Sequence, residues 1–323
     1  MKKNALRVMI LVVVVLLGYL GFSSTVDHTK KAEGYYRIVL LSDTHLPTKT
    51  FNVKDKDKED RIIAAKNKVI EDINNWQDVR EIAVLGDVVG DSGTDKEYAY
   101  AKDFFSKLHK PISFIVGNHD YIYQDNPSSS GRYVKGDAKS RLLKLDKFKK
   151  TFGLSQLFYE KKVAGYLLVF LSVDSLDSPY LAQMSQEELS WLKDTLKKNS
   201  TVPTIIFFHA PIEGTLSNYN KNANKPSFIA QPAAEIAKII ENNKQIVLWV
   251  SGHTHTPATN PSFASNINFY KGRLLNLHNS DMERTTIWTN SLFLYPNKIV
   301  IRTFNHKTET WMQELERTIP IER

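Results

Sequence analysis

The 323-residue chain contains no cysteine. That excludes disulfide staples, thiolate metal sites and cysteine nucleophiles. No G-x-S-x-G run occurs either, so a serine hydrolase built on a nucleophile elbow has no carrier here. Excess charge is scarce: 43 Lys+Arg stand against 35 Asp+Glu, a net of +8. Three of those positive charges, Lys2, Lys3 and Arg7, precede an apolar run. Residues 1–26 hold no acid, which leaves +5 for the remainder. A balance of that size suits anionic substrates or surfaces but is too small to indicate specific nucleic-acid binding. At 42% hydrophobic and 24% charged, the composition is that of a globular protein and excludes collagen, a coiled coil and wholesale disorder. The length suffices for one large domain or two small ones with a full core.

One long hydrophobic run is present. Residues 8–22 carry no charge and follow the three basic residues, so 1–26 is expected to be a signal anchor or a signal peptide. The uncharged stretch reaches Val26, long enough for a marginal membrane span, while the cleavage signal is reduced to Gly21 and Ser23. An uncleaved anchor is therefore favoured. Basic residues on its N-terminal side put the rest of the chain outside the cytoplasm, held at the cell membrane, or secreted if the segment is cleaved. Residues 27–34 then form a polar tether, and 35–323 the working domain.

Within that domain, apolar runs of strand length alternate with helix-period stretches. The predicted strands are 36–42, 81–86, 111–116, 166–173, 202–208 and 245–250. The predicted helices are 60–76 (Ile63, Ile70, Ile73 and Trp76 on one face), 95–109, 186–198 behind a Ser185–Glu188 capping box, and 232–242. Strands apolar on both faces and separated by helices imply an α/β fold with helices covering a largely parallel sheet. Residues 286–304 read as a hairpin closing an antiparallel edge. Two regions interrupt the alternation. Residues 49–60 read as a solvated charged loop. Residues 121–158 read as a substrate-covering insertion, in which 139–150 reads as the wet face of an amphipathic helix around Leu142, Leu145 and Phe148.

The chemistry lies where the strands stop. Five apolar strands end in metal-capable side chains: Asp43 and His45, then Asp87, then Asn118-His119-Asp120, then His209, then His253 and His255. In open α/β sheets the carboxyl ends of the strands form the ligand crevice, so these groups are expected to converge. Five of the nine histidines take part. His28, His109, His278 and His306 lie outside the pattern as surface or structural residues. Oxygen and imidazole donors without sulfur suit Mn, Fe or Zn. There are enough donors for two ions, about 3.5–4 Å apart around a shared anionic bridge. Asp87, the carboxylate in the middle of the series, is the natural bridge.

The ordered series D-x-H, G-D, G-N-H-D, H, G-H-T-H over residues 36–256 resembles the calcineurin-like metallophosphoesterase family. The resemblance implies a four-layer αββα sandwich and hydrolysis of small phosphate esters at a two-metal site. A hydroxide held between the ions would attack phosphorus. By motif, Asp43, His45, Asp87 and His255 would hold one metal, and Asp87, Asn118, His209 and His253 the other. His119 would assist the leaving group, with Asp120 orienting it. Small phosphodiesters of the cyclic-nucleotide type are slightly favoured over monoesters, nucleotides or pyrophosphates. A non-catalytic scaffold on the same fold would be expected to lack a ligand or His119, and neither is missing. Tyr121, Tyr123, Arg132 and Tyr133 are candidates for substrate contact.

Overall fold

The computed structural model describes residues 34–49, 55–217 and 222–322. The expected anchor, and the tether apart from Gly34, lie outside the described residues. Among the described residues no helix is long and apolar enough to cross a membrane.

The predicted strands do not share one sheet. β1 (Tyr36–Leu41), β2 (Val79–Val84) and β3 (Ile112–Phe114) run parallel. β1 also pairs antiparallel with β10 (Trp288–Tyr295), which continues through β11 (Lys298–Asn305) to β12 (Thr310–Pro320). The second sheet holds β4 (Tyr159–Val163), β5 (Tyr166–Phe170), β6 (Thr204–Phe207), β7 (Ile246–Ser251), β8 (Phe269–Tyr270) and β9 (Leu274–His278). Its order is β4-β5-β6-β7-β9-β8, with β5, β6, β7 and β9 parallel. The expected 286–304 hairpin is present as β10–β11, but β12 rather than β11 forms the sheet edge.

Side-chain alternation explains why two sheets form. Ile38 and Leu40 of β1 pack with Leu168, Phe170, Ile205 and Phe207 of the second sheet. Their neighbours Val39 and Leu41 join Val69, Ile70 and Ile73 of a helix instead. Successive strand residues face opposite ways, so an apolar run buried on both sides needs a sheet against one face and helices against the other. The helices thus cover the outer faces: α1 (Lys56–Asn75) and α2 (Asp95–Ser106) with residues of the first sheet, α5 (Gln186–Lys198) and α6 (Ala233–Asn242) with residues of the second.

Helix starts differ from expectation. Asp55 caps α1 through the amide of Asp57, and Asp57 and Glu59 sit in its first turn, favourable against the positive end of the helix. Residues 56–60 are therefore helical rather than loop. The buried face of α1 uses Ile62 and Lys66, with Ile63 only partly buried. Ser185 caps α5, but Glu188 turns away to accept from the Ser172 amide at 2.7 Å, so the reciprocal half of that box is absent. A complete capping box occurs instead at Thr94 and Glu97.

The insertion contains the four-residue α3 (Asn118–Tyr121) at its start and α4 (Ala138–Phe152). Leu145 and Phe148 of α4 are buried as expected, whereas Leu142 is 48% exposed. Lys144 is buried and donates to the carbonyls of Ser92 and Tyr123 and to Asp125, so part of the basic run is internal. Phe170 and Phe207 stack at 4.6 Å between the sheets. Phe170→Ala is expected to cost about 3–5 kcal/mol, lowering the midpoint of urea unfolding without changing the slope.

Candidate metal centre

All five predicted strand ends meet at one place. Asp43 and His45 follow β1, Asp87 follows β2, Asn118 and His119 open the short helix after β3, His209 follows β6, and His253 and His255 follow β7. The carboxyl ends of parallel strands from both sheets thus supply the donors. Asp43, His45, Asp87 and His255 offer ligand atoms all within 4.8 Å of one another, and so do Asp87, His209 and His253. Asp87 belongs to both groups.

The geometry of Asp87 suits a bridge. Its Oδ1 lies 3.4 Å from His209 Nε2 and its Oδ2 3.9 Å from His45 Nε2, so the two carboxylate oxygens face the two groups. Oδ1 also accepts the His119 amide at 2.8 Å. In the first group, His255 Nε2 lies 3.1 Å from both Asp43 Oδ1 and His45 Nε2. In the second, His253 Nδ1 is 3.0 Å from His209 Nε2. Asn118 directs its Nδ2 to the Tyr123 hydroxyl, while its Oδ1 is buried with no hydrogen-bond partner. A buried carbonyl oxygen left unpaired is costly, and a cation is the partner that would satisfy it.

Three histidines have their second ring nitrogen tied to the backbone. His209 Nδ1 is 2.7 Å from the Leu85 carbonyl, His45 Nδ1 3.3 Å from that of Val89, and His253 Nε2 2.9 Å from that of Ser227. Donation to those carbonyls leaves a lone pair on the nitrogen facing the centre, the arrangement of a ligating imidazole. Burial pushes His253 down to about 4 and His45 well below the ordinary imidazole range. Burial acts the same way on His209, but the Asp87 carboxylate outweighs it and raises that group to about 9. The second group therefore favours positive charge at His209 Nε2, as a proton or as a metal.

The backbone is strained to deliver these side chains. Asp43, His45, Asp87, His253 and His255 all have positive φ, between 43° and 66°, a region unfavourable for side-chain-bearing residues and typical of functional sites. Crowding accounts for two glycines. A Cβ on Gly117 would overlap the amide and carboxylate of Asp87, and one on Gly252 would overlap Ser42 and the Asp43 carboxylate.

Asp120 does not orient His119. Its Oδ1 accepts the amides of Val88 and Val89, at 2.8 and 3.1 Å, and its Oδ2 the amide of Gly117 at 2.8 Å. It thereby fixes the backbone on either side of the centre. The His119 ring is positioned by the Asp91 carbonyl, 2.8 Å from Nδ1, and by edge contacts with His45 and Tyr133. Of the four insertion candidates, Tyr123 lines the cavity above the centre, and Tyr133 stacks on it at 4.8 Å while donating to the Asp91 carboxylate. Tyr121 is in the core, and Arg132 is exposed outside the cavity lining. His278 and His306 are buried in hydrogen bonds to the Thr215 carbonyl and Asp72, and His109 is exposed.

A cavity of about 630 Å³ opens over the centre. Lys49, Phe228 and Arg284 on its wall were not anticipated. Phe228 stacks on His253 at 5.3 Å, and Arg284 donates to the His255 carbonyl at 2.9 Å. Lys66, one of the few buried lysines, donates to the carbonyls of His45 and Pro47 and to Glu283 Oε2, at 2.8–2.9 Å.

Residues 36–257 match the calcineurin-like phosphoesterase family. The chain belongs to that family. The matched domain is accordingly one of a phosphate-ester hydrolase, and its Asp and His groups fit a dinuclear metal centre. It is 24% identical over 238 residues to the uncharacterized protein YvnB of Bacillus subtilis, covering 71% of this chain but 16% of that protein's length. It is 23% identical over 226 residues to a probable glycerophosphodiester phosphodiesterase, GpdQ, of Arcobacter nitrofigilis, covering 69% of this chain and 72% of that one. The fold is similar to a dimetal phosphatase of Danio rerio (TM-score 0.56, 13% identity, 89% of this chain and 99% of the other). It is also similar to the purple acid phosphatase PPD1 of yellow lupin (TM-score 0.57, 12% identity, 90% and 54%).

Two predictions follow from this geometry. Asp87→Asn weakens the shared anionic bridge and should lower metal content in both groups, as read by elemental analysis of the purified protein. Lys66→Met leaves Glu283, itself nearly buried, without its cation. The expected loss is about 3–5 kcal/mol of stability in chemical denaturation.

Proposed function

We propose that this protein is an extracytoplasmic two-metal phosphodiesterase for small diesters, cyclic nucleotides or glycerophosphodiesters. The reading rests chiefly on Asp87, whose two oxygens face separate donor groups beneath a cavity of about 630 Å³. Asp43, His45, Asp87 and His255 are assigned to one ion, and Asp87, Asn118, His209 and His253 to the other. When bound, the ions supply Lewis acidity toward phosphoryl oxygens and lower the pKa of water. The metal identity is expected among Mn, Fe and Zn.

The remaining work belongs to the chain. His119 lies beside the centre with its Nδ1 bonded to Asp91, which leaves Nε2 for the leaving-group oxygen. Burial holds its pKa down at about 3, so the ring is neutral until an anionic phosphoryl group beside it favours the charged form. The Asp120 carboxylate keeps Gly117 and the 88–89 amides in place beneath it. The likeness to a probable glycerophosphodiester phosphodiesterase supports diesters over monoesters, and the cavity has room for groups on both sides of phosphorus. The location outside the cytoplasm is supported by the basic residues ahead of the apolar run 8–22.

The test uses residues 27–323 with bis-p-nitrophenyl phosphate and p-nitrophenyl phosphate, with added Mn²⁺ and with EDTA. Diester cleavage that needs metal and exceeds monoester cleavage is expected. A clear monoester preference would replace the diester reading with a phosphatase one. His119→Ala should keep both metals and lose about 10²–10⁴-fold in kcat, the usual share of one general acid or base.

A further inference from the structure

Among the described residues, apart from the candidate metal ligands and His119, the charged side chains lining the cavity are Lys49 and Arg284, both cationic. The other described residues of the wall are uncharged, with Tyr123, Leu181 and Phe228 among them. Neither cation belongs to a metal-ligand motif, and they lie 235 positions apart in sequence. A single acid brings their segments together. Glu283 Oε1 accepts the Lys49 amide at 2.9 Å, and its Oε2 accepts Lys66 Nζ at 2.8 Å. Glu283 immediately precedes Arg284, so this buried pair pins the backbone of one cation beside that of the other. Lys66 secures the same loop again through the carbonyls of His45 and Pro47.

The two cations are also available. Lys49 makes no ion pair among the described residues, and its charge is felt at both His45 and His119. Arg284 is held by Asp281 at Nε and by the His255 carbonyl at Nη2. That leaves its Nη1 without a bond among the described residues. Fixing two edges of a guanidinium while leaving the third open pre-organises it for an oxyanion.

We infer that Lys49 and Arg284 form a subsite for an anionic group on the non-scissile side of the substrate, and so select diesters that carry a second negative charge. The inference rests on the phosphodiester reading and narrows its substrate class. Lys66 and Glu283 are positioning residues for the subsite.

The experiment compares p-nitrophenyl phosphodiesters whose second alcohol is choline, ethylene glycol or glycolate, a cationic, a neutral and an anionic group. In the metal-loaded protein, kcat/KM should rise in that order, with glycolate about tenfold above ethylene glycol, the worth of one charge-assisted hydrogen bond. Lys49→Gln and Arg284→Gln should each flatten the series, and Lys49→Arg should preserve it. A flat or reversed series in the unaltered protein would overturn the subsite, as would an unchanged series in both Gln variants. If none of the esters is cleaved while both metals are bound, the phosphodiester reading fails. The subsite is then judged by calorimetric affinities for the same three esters, equal values overturning it and a glycolate preference lost in Lys49→Gln sustaining it.

Discussion

Asp87 carries two demands at once. Its carboxylate must face two groups of histidines with opposite oxygens, and its backbone must sit in a left-handed conformation to do so. Placing an anion in a buried site is unfavourable unless charge or hydrogen bonds answer it. Here the His119 amide and the surrounding imidazoles do so, together with whatever cations the centre holds. The same residue joins the two sheets chemically, since its partners come from β1 on one side and from β6 and β7 on the other. Remove it, and the two donor groups lose the one ligand they share.

The strain at the strand ends follows from that demand. A strand leaves its sheet in extended geometry, and a metal-capable side chain must then turn inward within two to four residues. Positive φ at Asp43, His45, Asp87, His253 and His255 accomplishes the turn at a cost on the order of 1–3 kcal/mol per residue. Hydrogen bonds on the far side of each ring hold the result: the carbonyls of Leu85, Val89 and Ser227 fix three imidazoles. Packing between two sheets and two helical layers supplies the rigidity against which such strain can be kept.

Much of this was legible in the sequence because donors placed straight after apolar strands have one destination, the carboxyl end of a sheet. The ligand candidates and His119 were found on that logic. The division into two sheets came from the family resemblance and not from the strand pattern, because a strand between a sheet and a helix layer and a strand between two helix layers are equally apolar. Lys66 reads as one more charge on the polar side of a helix, although its ammonium is buried among three acceptors. The partners of His119 and His253 are main-chain carbonyls of Asp91 and Ser227, and a carbonyl leaves no mark in residue type. Asp120 misled for a related reason. A carboxylate next to a catalytic imidazole suggests a side-chain pair, but its oxygens are taken by three amides.

The wide spacing of the donors bears on how the centre comes into being. Asp43 and His255, 3.1 Å apart, are separated by 212 positions in the chain, and the two groups draw on strands from both sheets. No early fragment brings these atoms together, so long-range closure must precede metal capture. A zinc finger gathers its ligands from one short segment and folds around the ion. Here the donors come from strand ends spread over both sheets, so the site depends on the assembled scaffold in a way that a zinc finger's does not.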